Sequence, residues 1–133
     1  MKNEIVKKLK EKVSINNTLV ELIDIFREVC EPNFVEYDDI YLFETGVYNF
    51  SGDDLFYFSL VLQYQNPGDD EYMQIHFNIT YLLIKELQLM ENNIVWSEDV
   101  DDFWSTIKTS NAFEYIISRN LKINNIEIYE EET

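Results

Sequence analysis

The chain changes its hydrophobic period twice. From residue 2 to residue 30 apolar side chains recur every three or four positions. From residue 40 to about 81 they alternate with polar ones, and after residue 97 the helical spacing returns. Ile5, Val6, Leu9 and Val13 share one side of a helix over residues 2–12, with lysines on the other side. Leu19, Leu22, Ile23, Phe26, Val29 and Cys30 form a stronger stripe in a second helix. Thr18 followed by Glu21 predicts a capping box at its start, each side chain satisfying a backbone N–H that the helix leaves free. Pro32 stops it.

The middle of the chain reads as three strands, IYLFETGVYNF, LFYFSLVLQYQ and EYMQIHFNITYL, joined at SGDD and NPGD. Short connections make neighbouring strands antiparallel. Register follows from bringing the apolar faces together, because a one-residue slip would bury the polar set. Four-residue loops at 51–54 and 66–69 predict Phe58 opposite Val47 and Phe77, and Leu62 opposite Phe43 and Met73. Phe56, Leu60, Ile75 and Ile79 complete that core face.

Beyond the strands, Ser97 is positioned to cap an acid-led helix with Val100, Phe103, Trp104 and Ile107 inward. A cap at Ser110 or Asn111 starts another, with Phe113, Ile116 and Ile117 inward. LKINNIEIY then reads as an extended edge strand, and residues 130–133 as an acidic tail. The expected fold is α+β: an antiparallel meander of three to four strands, with N- and C-terminal helices packed on one face, in one domain spanning residues 1–133.

Composition supports a real core, since 46% of residues are hydrophobic and 15% aromatic. The single cysteine, Cys30, cannot form an internal disulfide, and its place on the apolar stripe predicts a buried thiol. Residues 1–12 are basic, with five lysines against Glu4 and Glu11, but lack the apolar segment of a secretory signal. No apolar run reaches the roughly 20 residues of a membrane span, so a cytoplasmic protein is expected.

Charge sharpens this picture. The net charge is −16, and it is concentrated after residue 12, where 24 acids face five bases. Such a surface repels nucleic acid and anionic lipid, and steers basic proteins toward itself. If the meander is right, Glu36, Asp38 and Asp39 gather at one edge of the sheet with Asp69, Asp70 and Glu71, forming an acidic pole.

The polar face of the strands carries the second candidate surface. Glu44, Tyr48, Tyr57, Tyr72, Gln74, His76 and Asn78 combine aromatic, amide and charged groups of the kind binding surfaces favour. The expected register sets Ser59 opposite His76 with Gly46 beyond, leaving a shallow depression flanked by Glu44 and Tyr48. A histidine near serine, tyrosine and carboxylate admits a hydrolytic or small-molecule-binding reading. An amphipathic sheet also has a solvated face that needs such residues for no further purpose.

Motifs for other chemistries are missing from the sequence. NPGDDE lacks the ligand order of a calcium loop, and one histidine makes no zinc set. There is no phosphate loop, dinucleotide fingerprint, CxxC or HExxH, so no metal, cofactor or catalytic activity is expected. The sequence favours a small acidic interaction module, of the immunity or antitoxin type, that inhibits a basic toxin or nucleic-acid-binding protein. The alternatives are the ligand-binding or hydrolytic domain around His76, and a structural subunit that forms a homodimer through its outer sheet face.

Overall fold

A computed structural model places the first change of period at the boundary between helices and sheet. It describes residues 2–33, 39–50, 53–65, 68, 71–82 and 93–132, and of these the side chains of all but residues 2, 3, 33, 39, 48–50, 53 and 54. Helices α1 (Lys2–Lys12) and α2 (Leu19–Cys30) come first, followed by one 3-10 turn (Glu31–Asn33). Strands β1 (Asp39–Phe50), β2 (Asp53–Gln65) and β3 (Tyr72–Leu82) form the meander. Strand β4 (Asn93–Ser97), helices α3 (Val100–Thr109) and α4 (Asn111–Ser118), and strand β5 (Ile123–Glu132) complete the described elements.

The five strands make one antiparallel sheet in the order β4-β1-β2-β3-β5. The helices cover one face of it. Phe26 of α2 stands edge-on to Phe77 of β3, with ring centroids 5.5 Å apart, and edge-on to Trp104 of α3 at 6.1 Å. Tyr41 of β1 lies 4.6 Å from Phe103. Phe43, Phe56, Phe58, Leu60, Leu62, Ile75 and Ile79 are all buried in this core, with Val47 and Met73 packed at its margin. Burial of so many large side chains is the main source of stability.

Both bonds of the capping box are present. Thr18 Oγ1 accepts from Glu21 N at 3.2 Å, and Glu21 Oε1 accepts from Thr18 N at 2.8 Å. At the other end of α2, Glu31 Oε1 accepts from both Arg27 Nε (3.0 Å) and Trp104 Nε1 (2.9 Å), tying α2 to α3.

The sheet departs from the expected pattern in four ways. First, the register is displaced by two residues. Phe50 pairs with Asp53, so the first link is two residues long, and Gln65 pairs with Tyr72, so the second is six. Phe58 therefore lies opposite Thr45 and Ile79, and Leu62 opposite Tyr41 and Ile75. A slide by two keeps every side chain on its face, so the core survives it.

Second, β4 is an additional strand, too short for its alternation to show in sequence, and it pairs with β1 from Tyr41↔Ser97 to Thr45↔Asn93. Ser97 ends this strand instead of capping α3. The cap is Asp99, whose carboxylate accepts from Asp102 N at 3.0 Å.

Third, residues 130–132 are no free tail but the end of β5, paired with Met73, Gln74 and Ile75. Fourth, α4 buries Ala112 and Ile116, while Phe113 is half-buried and Ile117 exposed. Its stripe is rotated because alanine, small but apolar, occupies the inward position. Ser110 is its cap, accepting from Phe113 N at 3.2 Å.

Candidate functional site

The outer face of the sheet is organised in straight rows running across the strands. One row reads Glu44, Ser59, Asn78, Glu127 from β1 to β5. On one side of it runs Leu42, Val61, His76, Tyr129, and on the other Gly46, Tyr57, Thr80, Asn125. These rows floor a pocket of about 670 Å³. Gly46, opposite Tyr57, contributes no side chain to its row. The pocket is lined from β1 by Glu44, from β2 by Leu55 and Tyr57, from β3 by His76, Asn78 and Thr80, and from β5 by Asn124, Asn125, Glu127 and Tyr129.

A bulge shapes its far wall. Thr80 pairs with Asn125 but Tyr81 with Ile123, so Asn124 is an extra residue in β5. Bulges bend a strand and increase its twist, and they recur at strand edges beside functional surfaces. Thr80 Oγ1 donates to Asn125 O at 3.2 Å, holding the bulged backbone to β3.

The outer face is not uniformly wet. Val61 is fully buried there, and Leu42, Leu55, Ser59, Gln63 and Thr80 are buried too. The polar groups among them are joined in chains. Ser59 Oγ donates to Asn78 Oδ1, and Asn78 Nδ2 donates to Tyr129 Oη at 3.3 Å. In a second chain, Gln74 Nε2 donates to Gln63 Oε1 at 2.7 Å, which turns Gln74 Oε1 toward His76 Nε2 at 2.8 Å. Glu131 Oε2 also lies 3.3 Å from His76 Nε2. Both neighbours of that nitrogen are acceptors, so it carries the proton and donates. The imidazole is stacked on Tyr129, with centroids 4.7 Å apart and planes 8° from parallel.

Electrostatics make the pocket negative. Glu44 and Glu127 line it, Glu131 borders it, and no lysine or arginine is among its described lining residues. Burial pushes the His76 pKa below its ordinary value, against the opposing pull of Glu131 and Glu44, so the ring is neutral near pH 7. Burial raises the Tyr57 phenol, helped by the charge of Glu44 and a hydrogen bond to it. Tyr129 is raised by burial as well. The bond from Asn78 lowers it, while Glu131, Glu127 and Glu44 add to the rise. His76, Tyr57 and Tyr129 all feel the charge of Glu44.

Of the expected sheet-face residues, Glu44, Tyr57, His76 and Asn78 meet in this pocket. Gln74 supports it from behind His76, and Tyr72 is exposed at the start of β3. The side chain of Tyr48 lies outside the described residues. The expected pairing of Ser59 with His76 does not occur: Val61 faces His76, and Ser59 bonds to Asn78. A serine nucleophile beside its base is therefore not what the rows assemble.

Of the acidic pole, Glu36, Asp38, Asp69 and Asp70 lie outside the described residues, as does the side chain of Asp39. Asp39 opens β1 and the exposed Glu71 immediately precedes β3, so their backbones share the end of the sheet where β2 finishes. Glu130, Glu131 and Glu132 reach that same end on β5.

Reading the sequence alone missed Glu127 and Tyr129 as site residues, and Ile94 and Trp96, which stand exposed on the outer face of β4. Alternation in INNIEIYE was the available signal for the first pair, because it puts Asn125, Glu127 and Tyr129 on one side. Among the described residues, no group of three potential ligands is arranged to hold a metal ion, and no helix is long and apolar enough to cross a membrane.

The fold class is α+β, a five-stranded antiparallel sheet with helices on one face and a polar pocket on the other. Comparison with protein-family models, curated proteins and solved structures finds no match to this chain.

Proposed function

We propose that this chain is a small acidic binding module whose outer sheet face docks a basic protein, in the manner of an immunity protein or antitoxin that inhibits a toxin by covering its nucleic-acid-binding surface. The observation that carries this reading is the pocket, where Glu44 and Glu127 stand beside tyrosines with no described basic residue to balance them, in a chain of net charge −16. A surface of this sign steers basic proteins to itself and repels nucleic acid. Trp96 and Ile94, exposed on the same face, supply apolar contact area that slows dissociation.

The size of the pocket favours a second reading, a small-molecule binder using the same residues. One experiment separates the two. The chain is purified from its native cells at low ionic strength, its companion identified by mass spectrometry, and the complex rebuilt from pure components. A basic protein that loses nucleic-acid binding on stoichiometric addition of this chain, and that dissociates as salt rises, supports the docking module. A small ligand carried through purification with no protein companion, or a complex indifferent to salt, overturns it.

A further inference from the structure

We infer that the outer-face pocket receives a guanidinium group, the side chain of one arginine of the docked partner. This rests on the docking reading above and deepens it, by naming the group that the pocket recognises. The argument starts from the row Glu44, Ser59, Asn78, Glu127, which sets a carboxylate at each end of four adjacent strands. At ~4.8 Å per strand their backbones stand roughly 14 Å apart. The space between is the pocket itself, so any group filling it lies between two negative charges.

The row cannot neutralise itself. Ser59 is already bonded to Asn78, and Asn78 to Tyr129. None of these is a cation, and His76 donates its one proton toward Gln74 and Glu131, at the side of the pocket. Covering the pocket with a neutral or acidic surface would strip water from two carboxylates without return. Covering it with a cation offsets that penalty through direct pairing.

A guanidinium fits this setting better than an ammonium. It is planar, carries five donors in a fixed fork, and gives up its water more readily than lysine does. It pairs with carboxylates through two parallel hydrogen bonds and stacks on aromatic rings. The pocket offers carboxylates from β1 and β5, and tyrosine rings from β2 and β5. The Tyr129 ring is held in place by its stack on His76.

The single histidine of the chain is a built-in reporter, since its ring signals need no sorting from others. The test titrates the full chain with N-acetyl-arginine amide, N-acetyl-lysine amide and N-acetyl-citrulline amide, following the His76 ring by NMR. Citrulline keeps the shape of arginine and lacks its charge. The arginine compound is expected to shift the His76 signals saturably, the lysine compound more weakly, and the citrulline compound not at all. Glu44→Gln and Glu127→Gln, each folded as judged by its thermal midpoint, should weaken the arginine compound by about tenfold or more. Equal binding of the citrulline and arginine compounds, or arginine binding indifferent to both substitutions, overturns the inference.

A parallel arm uses the rebuilt complex. The Glu44→Gln/Glu127→Gln pair is compared with Glu98→Gln/Glu114→Gln, which removes the same charge from exposed positions outside the pocket. A loss of about a hundredfold for the pocket pair, against a few-fold for the remote pair, supports arginine capture. Equal losses for both pairs overturn the inference while leaving the docking module standing. Absence of any basic partner defeats the docking reading itself, whatever the arginine compound does.

Discussion

Tyr129 lies flat against His76, their rings 4.7 Å apart and within 8° of parallel, although they are 53 positions apart along the chain. The stack joins the C-terminal strand to the strand that carries the only histidine, and it fixes both rings beside the pocket. Its consequences begin with pH.

His76 is held below its ordinary pKa of 6.5 because burial opposes its charged form more than Glu131 and Glu44 favour it. The unfolded chain therefore takes up the proton first as pH falls. Stability should be full above pH 6.5 and should decline from there down to the lower, folded-state pKa. Urea unfolding followed between neutral and mildly acid pH should show this decline. His76→Gln should remove that component, and Glu131→Gln should drive the His76 midpoint lower still in an NMR titration.

Tyr81 predicts the opposite limb. It is almost wholly buried among core side chains, its hydroxyl has no hydrogen-bond partner among the described residues, and burial lifts its pKa well above 10.0. Above pH 10 the unfolded chain loses the phenolic proton while the folded chain keeps it, so stability should fall as pH rises. Tyr81→Phe should flatten that fall. At neutral pH it should be neutral, or stabilising by up to about 1 kcal/mol, because no protein hydrogen bond is lost. Denaturation midpoints of the two proteins at neutral and alkaline pH check both statements.

The helix-to-sheet seam should be the most sensitive place in the core. Phe77→Ala removes a fully buried ring that packs edge-on against Phe26, and should cost about 3–5 kcal/mol. Ile117→Ala, on the exposed side of α4, should cost under about 1 kcal/mol. Chemical denaturation of both variants ranks them, and similar losses would contradict the orientation of α4.

The two tryptophans should separate cleanly in fluorescence. Trp96 is 54% exposed on the outer face, whereas Trp104 is 3% exposed beneath α2. Acrylamide should quench Trp96 and spare Trp104 in the free chain. In the rebuilt complex Trp96 should become protected. Trp96→Ala should leave stability within about 0.5 kcal/mol of the parent, and should weaken the complex by about 1 kcal/mol or more.

How much of this was legible in sequence follows from what each pattern constrains. Side-chain alternation fixes which face a residue occupies, so Phe58 and Phe77 go inward and His76 and Asn78 outward without any coordinates. It does not fix the slide of one strand along another by two positions, because that slide buries the same set of side chains. For this reason alternation, taken with four-residue loops, sets Ser59 across from His76, whereas it stands across from Asn78.

The capping box of α2 was readable because Thr18 and Glu21 are three residues apart and act locally. The wall supplied by Glu127 and Tyr129 was not, because nothing local tells a C-terminal strand which edge of the sheet to join. Nor could five residues, NIVWS, display enough alternation to announce the strand that brings Trp96 to the outer face.

The bulge in β5 has one further consequence, for the order in which the outer-face pocket is built. Helices α1 and α2 and the three-strand meander leave the ribosome before β5 does, and they can begin to pack while synthesis continues. The wall formed by Asn124, Asn125, Glu127 and Tyr129 arrives afterwards. A nascent or shortened chain ending before residue 123 would carry Glu44 and His76 with no opposite wall. The pocket would then be complete only once β5 has been made, after most of the core is already available to assemble.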